Sequence, residues 1–206
     1  MVASDSMDVE EAIHSSSPRR LQALALDPCL SEELALGLLK RPDLDPQIVV
    51  AVSQNSSVSE KRKVRLAIVA HSRTPRYLSL PMLRLLYTFD LIEVALTPHL
   101  AGDIKRAAEQ ALLGRLETVS LGEKLTLARR ASSRVAASLL LEQDVRVIDR
   151  ALDNPRLTEI SLRKAILARP RSSALVESVC QHPKWSHARE VRIALLCCHG
   201  AVEIET

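Results

Sequence analysis

Two stretches of this chain repeat one pattern, and that duplication limits the possible folds more than any other feature. "DPCLSEELALGLLKRPDLDPQIVVAVSQNSSVSEKRKVRLAIV" (27–69) aligns with "NPRLTEISLRKAILARPRSSALVESVCQHPKWSHAREVRIALL" (154–196), with one slipped residue near the middle. Pro28, Leu30 and Glu32 match Pro155, Leu157 and Glu159, and Arg41-Pro42 matches Arg169-Pro170. Gln54, Ser59, Arg62, Val64, Arg65 and Ala67 match Gln181, Ser186, Arg189, Val191, Arg192 and Ala194. Pro28 and Pro155 are 127 residues apart, about three times 42, which leaves room for further copies between. The stretch 51–68 recurs loosely at 95–112. Ser31, Thr74, Ser120 and Thr158, at intervals of 43, 46 and 38, each precede a helical pattern and could cap it with a hydroxyl; Ser120 and Glu123 have the spacing of a capping box.

The units are helical by periodicity. Ile104, Ala107, Ala108, Ala111 and Leu112 recur at i, i+3, i+4, i+7 and i+8, and Val191, Ala194, Leu195 and Cys198 follow the same rule. Apolar residues make up 47% of the chain but aromatics only 2%, so its apolar content is Leu, Ala, Val and Ile; with only five glycines, tight hairpins have little material. The spacing predicts four units of three helices: 31–41, 46–53 and 59–71; 76–88, 90–96 and 103–117; 120–131, 134–142 and 144–153; 157–169, 172–181 and 187–198. Pro81 falls inside a predicted helix and is expected to kink it or delay its start. Val64, Ala67, Ile68, Val191, Ala194 and Leu195 are the expected core at equivalent places.

"DNPRLTEISLRKAI", its partner "DPCLSEELALGLL" and the period near 42 together resemble the armadillo/HEAT class of α-solenoids and the related leucine-rich variant repeats. The resemblance spans roughly residues 20 to 198. It implies an all-α fold, a short right-handed α-solenoid of about four three-helix repeats of roughly 42 residues. It implies a scaffold or binding surface rather than an enzyme, although the class includes HEAT-like DNA glycosylases that remove alkylated bases. In such a fold each unit buries its apolar face only against its neighbours.

The expected organisation is a disordered N-terminal tail over 1–17, a single solenoid domain over 18–199 and a C-terminal tail over 200–206. The first 20 residues carry no apolar core of a signal peptide, and no run of about 18 apolar residues could span a bilayer. Four cysteines, two of them adjacent, do not form the framework of a disulfide scaffold in a chain of 206 residues. A reduced, cytoplasmic setting without membrane contact is therefore expected.

Three constellations bear on function. Cys180, His182, His187, Cys197, Cys198 and His199 are metal-type residues, but about 16 Å of helix separates His187 from Cys198. Only Cys180, His182 and His187 could converge, one ligand short of a tetrahedral zinc site, so no metal is expected; Cys198 is expected inside, Cys197 and His199 outside. Catalytic motifs such as GxSxG, a Gly-rich phosphate loop or HExxH do not occur, so neither an enzyme, a cofactor nor a small-molecule substrate is expected. The functional signal is charge. No Asp or Glu occurs from Lys61 to Phe89, a run holding Lys61, Arg62, Lys63, Arg65, Arg73, Arg76 and Arg84. Lys124, Arg129, Arg130 and Arg134 form a second group. The candidate partner-binding residues are Arg62, Arg65, Arg73, Arg76, Arg129, Arg130 and Arg134, aligned as a basic stripe for an anionic protein partner. Nucleic-acid backbone is the alternative ligand, and a HEAT-like DNA-processing enzyme is the further alternative that the resemblance implies. Such a stripe requires arginines that share a face and are not tied up locally with carboxylates.

Overall fold

The structure, a computed structural model, describes residues 17–169 and 172–203. Among these residues the chain is helical, with fourteen α-helices, one 3-10 turn and no strand. It divides into two compact units, one ending at Ala108 and one beginning at Glu109. The first holds α1 (Pro18–Leu26), α2 (Glu32–Leu39), α3 (Pro46–Gln54), α4 (Ser56–Ser59), α5 (Arg62–Ala70), α6 (Arg76–Met82), the 3-10 turn Leu83–Leu85 and α7 (Thr88–Leu96). The division falls within α8 (Gly102–Leu113). The second unit continues with α9 (Leu121–Arg130), α10 (Ser133–Leu139), α11 (Val145–Leu152), α12 (Glu159–Ala168), α13 (Ser173–Gln181) and α14 (Arg189–Glu203).

Within each unit, alternate helices pack side by side. In the first, α1 packs on α3 and α2 on α5, which packs on α7; in the second, α9, α11 and α13 make one row and α10, α12 and α14 another. A recurring polar clamp sets the direction of many of these pairs. Asn55, just past α3, donates from Nδ2 to the carbonyls of Ala25 (3.0 Å) and Asp27 (2.8 Å) at the end of α1, while its Oδ1 accepts the Ser57 N–H. Asn154, just past α11, donates likewise to Ala128 (2.7 Å) and Ala131 (3.1 Å) at the end of α9, and its Oδ1 accepts the Arg156 N–H. His71 does the same with a ring: Nδ1 accepts the Arg73 N–H, so Nε2 carries the proton and donates to the Arg41 carbonyl at 2.9 Å. His99 reaches Ala70 O through Nε2, and His182 accepts from Lys184 N–H at Nδ1 and meets Asp153 Oδ1 at Nε2. A carboxamide and an imidazole share what the position needs, an acceptor turned to the local backbone and a donor reaching outward. The last carbonyls of a helix have no partner within it, and Asn55, His71, His99 and Asn154 supply one from the next helix of the row, whereas His182 meets a carboxylate there. Because C-terminal ends are joined to C-terminal ends, these neighbours run parallel.

Burial repeats with the same 127-residue offset. Leu21, Ala25, Leu30, Ala35, Leu39, Ile48 and Val52 are buried, and so are Ile148, Leu152, Leu157, Leu162, Ile166, Leu175 and Val179. Val64, Ile68, Val191 and Ala194 are buried as expected, whereas Ala67 and Leu195 are only half-buried. Where Asn55 bonds Ala25, the aligned turn places Trp185, buried, with Nε1 donating to the Leu152 carbonyl at 2.9 Å. Lys184 Nζ covers its ring at 4.0 Å. In α8, Ile104, Ala108 and Leu112 are buried along the expected stripe.

Several local expectations change. The predicted helix 76–88 ends at Met82 and passes through the 3-10 turn before α7 begins. Pro81 offers no N–H to the Tyr77 carbonyl, so the helix has little to hold it beyond that point. Ser31, Ser120 and Thr158 cap α2, α9 and α12, with the capping box complete at Ser120 and Glu123. Thr74 does not cap; its hydroxyl donates back to the Ile68 carbonyl, and Pro75 occupies the cap position of α6. Helix α1 was not among the predicted elements, and α14 runs to Glu203, beyond the predicted end at 198. The N-terminal tail, up to residue 16, lies outside the described residues, as do the side chains of Cys198 and His199.

Candidate partner-binding surface

The seven candidate arginines fall into three kinds of environment. Arg62, exposed on the first turn of α5, is bidentate to Asp90 of α7, Nε to Oδ2 at 2.9 Å and Nη2 to Oδ1 at 2.8 Å. Asp90 is only 4% exposed and follows directly on the acid-free run. The guanidinium also stands 4.8 Å from the centre of the Tyr87 ring. The hydrogen bonds and charge of Asp90 raise the Arg62 pKa above its ordinary value. Arg76 pairs with Asp103 at 3.1 Å. Arg134, in the second unit, lies 3.9 Å from Glu109 and donates to Gln110 at 3.1 Å. These three are held by neighbouring side chains, so their charge is partly spent within the protein.

Arg65 is half-buried and donates from Nε to the Ser59 carbonyl at 3.0 Å, which fixes its stem along the α4–α5 turn. With Glu60, Arg62, Leu85, Tyr87 and Asp90 it lines a small cleft of about 40 Å³. Arg73 is exposed between α5 and α6. Arg129 and Arg130 are exposed in the last turn of α9, where a cation also meets the negative end of the helix dipole. The structure thus brings Arg62 and Arg65 to one cleft and leaves Arg73, Arg129 and Arg130 facing solvent.

The acid-free run holds more than charge. Tyr77 (71% exposed), Leu80, Leu85, Tyr87 (62%) and Phe89 all reach the surface in and around α6 and the start of α7. Family models, curated proteins and solved structures offer no match to this chain. The surface must therefore be read from its own chemistry. Its aromatic component had a signal in the sequence, since three of the four aromatics lie between residues 77 and 89, inside the stretch without acids.

The metal-type residues near the C-terminus have local employment. His182 is the clamp described above, and His187 Nδ1 lies 3.1 Å from the Pro183 carbonyl. Cys29, Cys180 and Cys197 are exposed free thiols. Among the described residues no three His, Cys, Asp or Glu side chains converge on a metal-sized site, and no helix is long and apolar enough to cross a membrane.

Proposed function

We propose that the chain is a non-catalytic, cytoplasmic α-solenoid of about four three-helix repeats. It serves as a binding module for another protein, which it engages through the exposed aromatic and aliphatic side chains that the run 77–89 contributes to its N-terminal unit. The observation that carries this reading is the exposure of Tyr77, Leu80, Leu85, Tyr87 and Phe89 in a stretch whose only charges are basic. Tyrosine, phenylalanine and arginine are the residues enriched where proteins meet, and clustered exposed apolar side chains mark interaction sites. The parallel stacking of alternate helices and the repeated burial pattern support the solenoid. The free thiols suit a reducing compartment. Pairing of Arg62, Arg76 and Arg134 with neighbouring residues favours a protein over a phosphate backbone, which would draw on unpaired cations.

The test is affinity capture from cells of the source organism, with and without nuclease, comparing the natural chain with Tyr77→Ala/Leu80→Ala after circular dichroism shows that both are folded. A captured protein that survives nuclease and is lost with the variant supports the reading. Capture that vanishes with nuclease transfers the assignment to nucleic acid.

A further inference from the structure

We infer that the exposed side of α14 binds an amphipathic helix of a partner protein, one that carries a carboxylate in its first turn. This site lies wholly in the second unit and stands independently of the N-terminal surface proposed above. It is marked by a mismatch inside the duplication. Arg189, Arg192 and Leu196 of α14 align with Arg62, Arg65 and Val69 of α5, and each set lies at i, i+3 and i+7, along one side of its helix. On α5 that side is covered and on α14 it is open. Val69 is 0% exposed, Leu196 72%. Ile68 is buried and its counterpart Leu195 only half so. Arg62 holds Asp90 through two hydrogen bonds, whereas the exposed Arg189 and Arg192 have no side-chain hydrogen bond or ion pair among the described residues.

The helices that cover α5 show what fits this side. Both α6 and α7 pack on α5. Helix α7 runs parallel to it, because His99, just past α7, reaches the carbonyl of Ala70 at the end of α5. First turn therefore meets first turn, and there the buried Asp90 takes the Arg62 guanidinium, Nη2 to Oδ1 at 2.8 Å. Past the carboxylate, α7 buries Leu91, Ile92, Val94 and Ala95. A carboxylate in a first turn also faces the positive end of its own helix dipole. Helix α14 presents the same series to solvent: the guanidinium of Arg189 in its first turn, that of Arg192 one turn on, and Leu196 beyond.

Glu190, the carboxylate of the same first turn, does not offset this charge toward a ligand, since Arg163 of α12 bonds it at 3.1 Å. A helix has paired its main-chain groups within itself, so it can cover Leu195 and Leu196 without burying an unsatisfied donor or acceptor. A phosphate backbone would meet both arginines but has no apolar side for Leu196. A second copy of this chain has its own α7 engaged by its own α5.

The probe is a fluorescein-labelled synthetic helix copying residues 86–98, with Phe89→Lys joined to Glu93 by a lactam; both positions are exposed in α7, so the bridge stays clear of the contact. It should bind the full natural chain in fluorescence polarisation, and Arg189→Glu and Leu196→Asp should each weaken binding at least tenfold. Both residues are exposed, and unchanged thermal unfolding of each variant shows that the fold is kept. A probe carrying Asp90→Lys should lose at least tenfold on the natural chain and recover on Arg189→Glu, which a contact elsewhere would not reproduce. Binding that ignores both chain variants, as exchange with α7 of the first unit would, overturns the site. Absence of binding overturns the helical occupant. Sedimentation velocity supplies the remaining arm: self-association of the natural chain that Leu196→Asp abolishes assigns the face to a second copy and overturns the partner helix. Each of these failures leaves the N-terminal surface standing, because that surface is tested by Tyr77→Ala/Leu80→Ala.

Discussion

Replacing Asn154 by alanine tests whether the clamp is a structural element or a decorated turn. The side chain is 1% exposed and makes three hydrogen bonds, to the carbonyls of Ala128 and Ala131 and from the Arg156 N–H. Each such bond contributes about 1 kcal/mol net, and removing one partner leaves a buried group unsatisfied, so Asn154→Ala should cost about 3 kcal/mol. Trp185 is the only tryptophan and is buried in the same unit, with its N–H on Leu152, so its fluorescence reports the unfolding of that unit directly. With a urea slope of about 1–3 kcal/mol per molar, the midpoint should fall by about 1–3 M. Asn154→Asp keeps the acceptor but turns a carboxylate oxygen toward two carbonyls, and it should be no better than alanine at neutral pH. Asn154→His should recover part of the loss, because His71 occupies the same kind of position. A loss below about 0.5 kcal/mol for alanine, the range of ordinary surface substitutions, would refute the reasoning, as would an aspartate variant as stable as the natural chain.

Val191→Asp should unfold the C-terminal unit, since an unpaired carboxylate at a fully buried site costs several kcal/mol, whereas Leu195→Asp, at a half-buried one, should leave a cooperative transition; circular dichroism melts separate the two. Trp185→Phe keeps an aromatic ring but loses the bond to Leu152 and part of the buried volume, which should cost at least about 1 kcal/mol in urea titration followed by circular dichroism. Arg62→Glu, placed against the buried Asp90, should lower the melting temperature, while Arg73→Glu should not; equal melting temperatures would remove the ion pair from the account. The Glu123 carboxyl is held below its ordinary pKa, first by the Ser120 N–H and then by the Ser120 hydroxyl. Its folded value being the lower one, the capping box stabilises fully above the ordinary carboxylate range and loses that contribution as pH falls through the folded value. Urea midpoints of the natural chain and Glu123→Ala should therefore differ at neutral pH and converge in acid.

The positions of most helices could be read from the sequence because short amphipathic helices repeat their apolar spacing, and the 127-residue offset carried buried positions such as Ala35 and Leu162 together. Helix α1 escaped because Pro18–Leu26 buries only Leu21 and Ala25, too few points for a period. Thr74 escaped because a hydroxyl before a helix can turn backward as easily as forward, and Pro75 took its place. The clamp was hidden by chemistry: asparagine and histidine do one job with different letters, so Asn55 and its aligned partner His182 do not register as the same residue. Candidate arginines could be found by composition, but not their partners. Asp90 lies 28 residues from Arg62, and only packing of α7 on α5 brings them together.

The clamps also decide how a row of helices can deform. In the α1–α3 and α9–α11 pairs, the described polar ties gather at one end, and the rest of the contact is between apolar side chains without directional bonds. Such a pair resembles two pages sewn at the spine: the sewn edge resists stretching, and the loose edge opens at the cost of a few side-chain contacts. Compliance of such a pair then belongs to the edge away from the stitches.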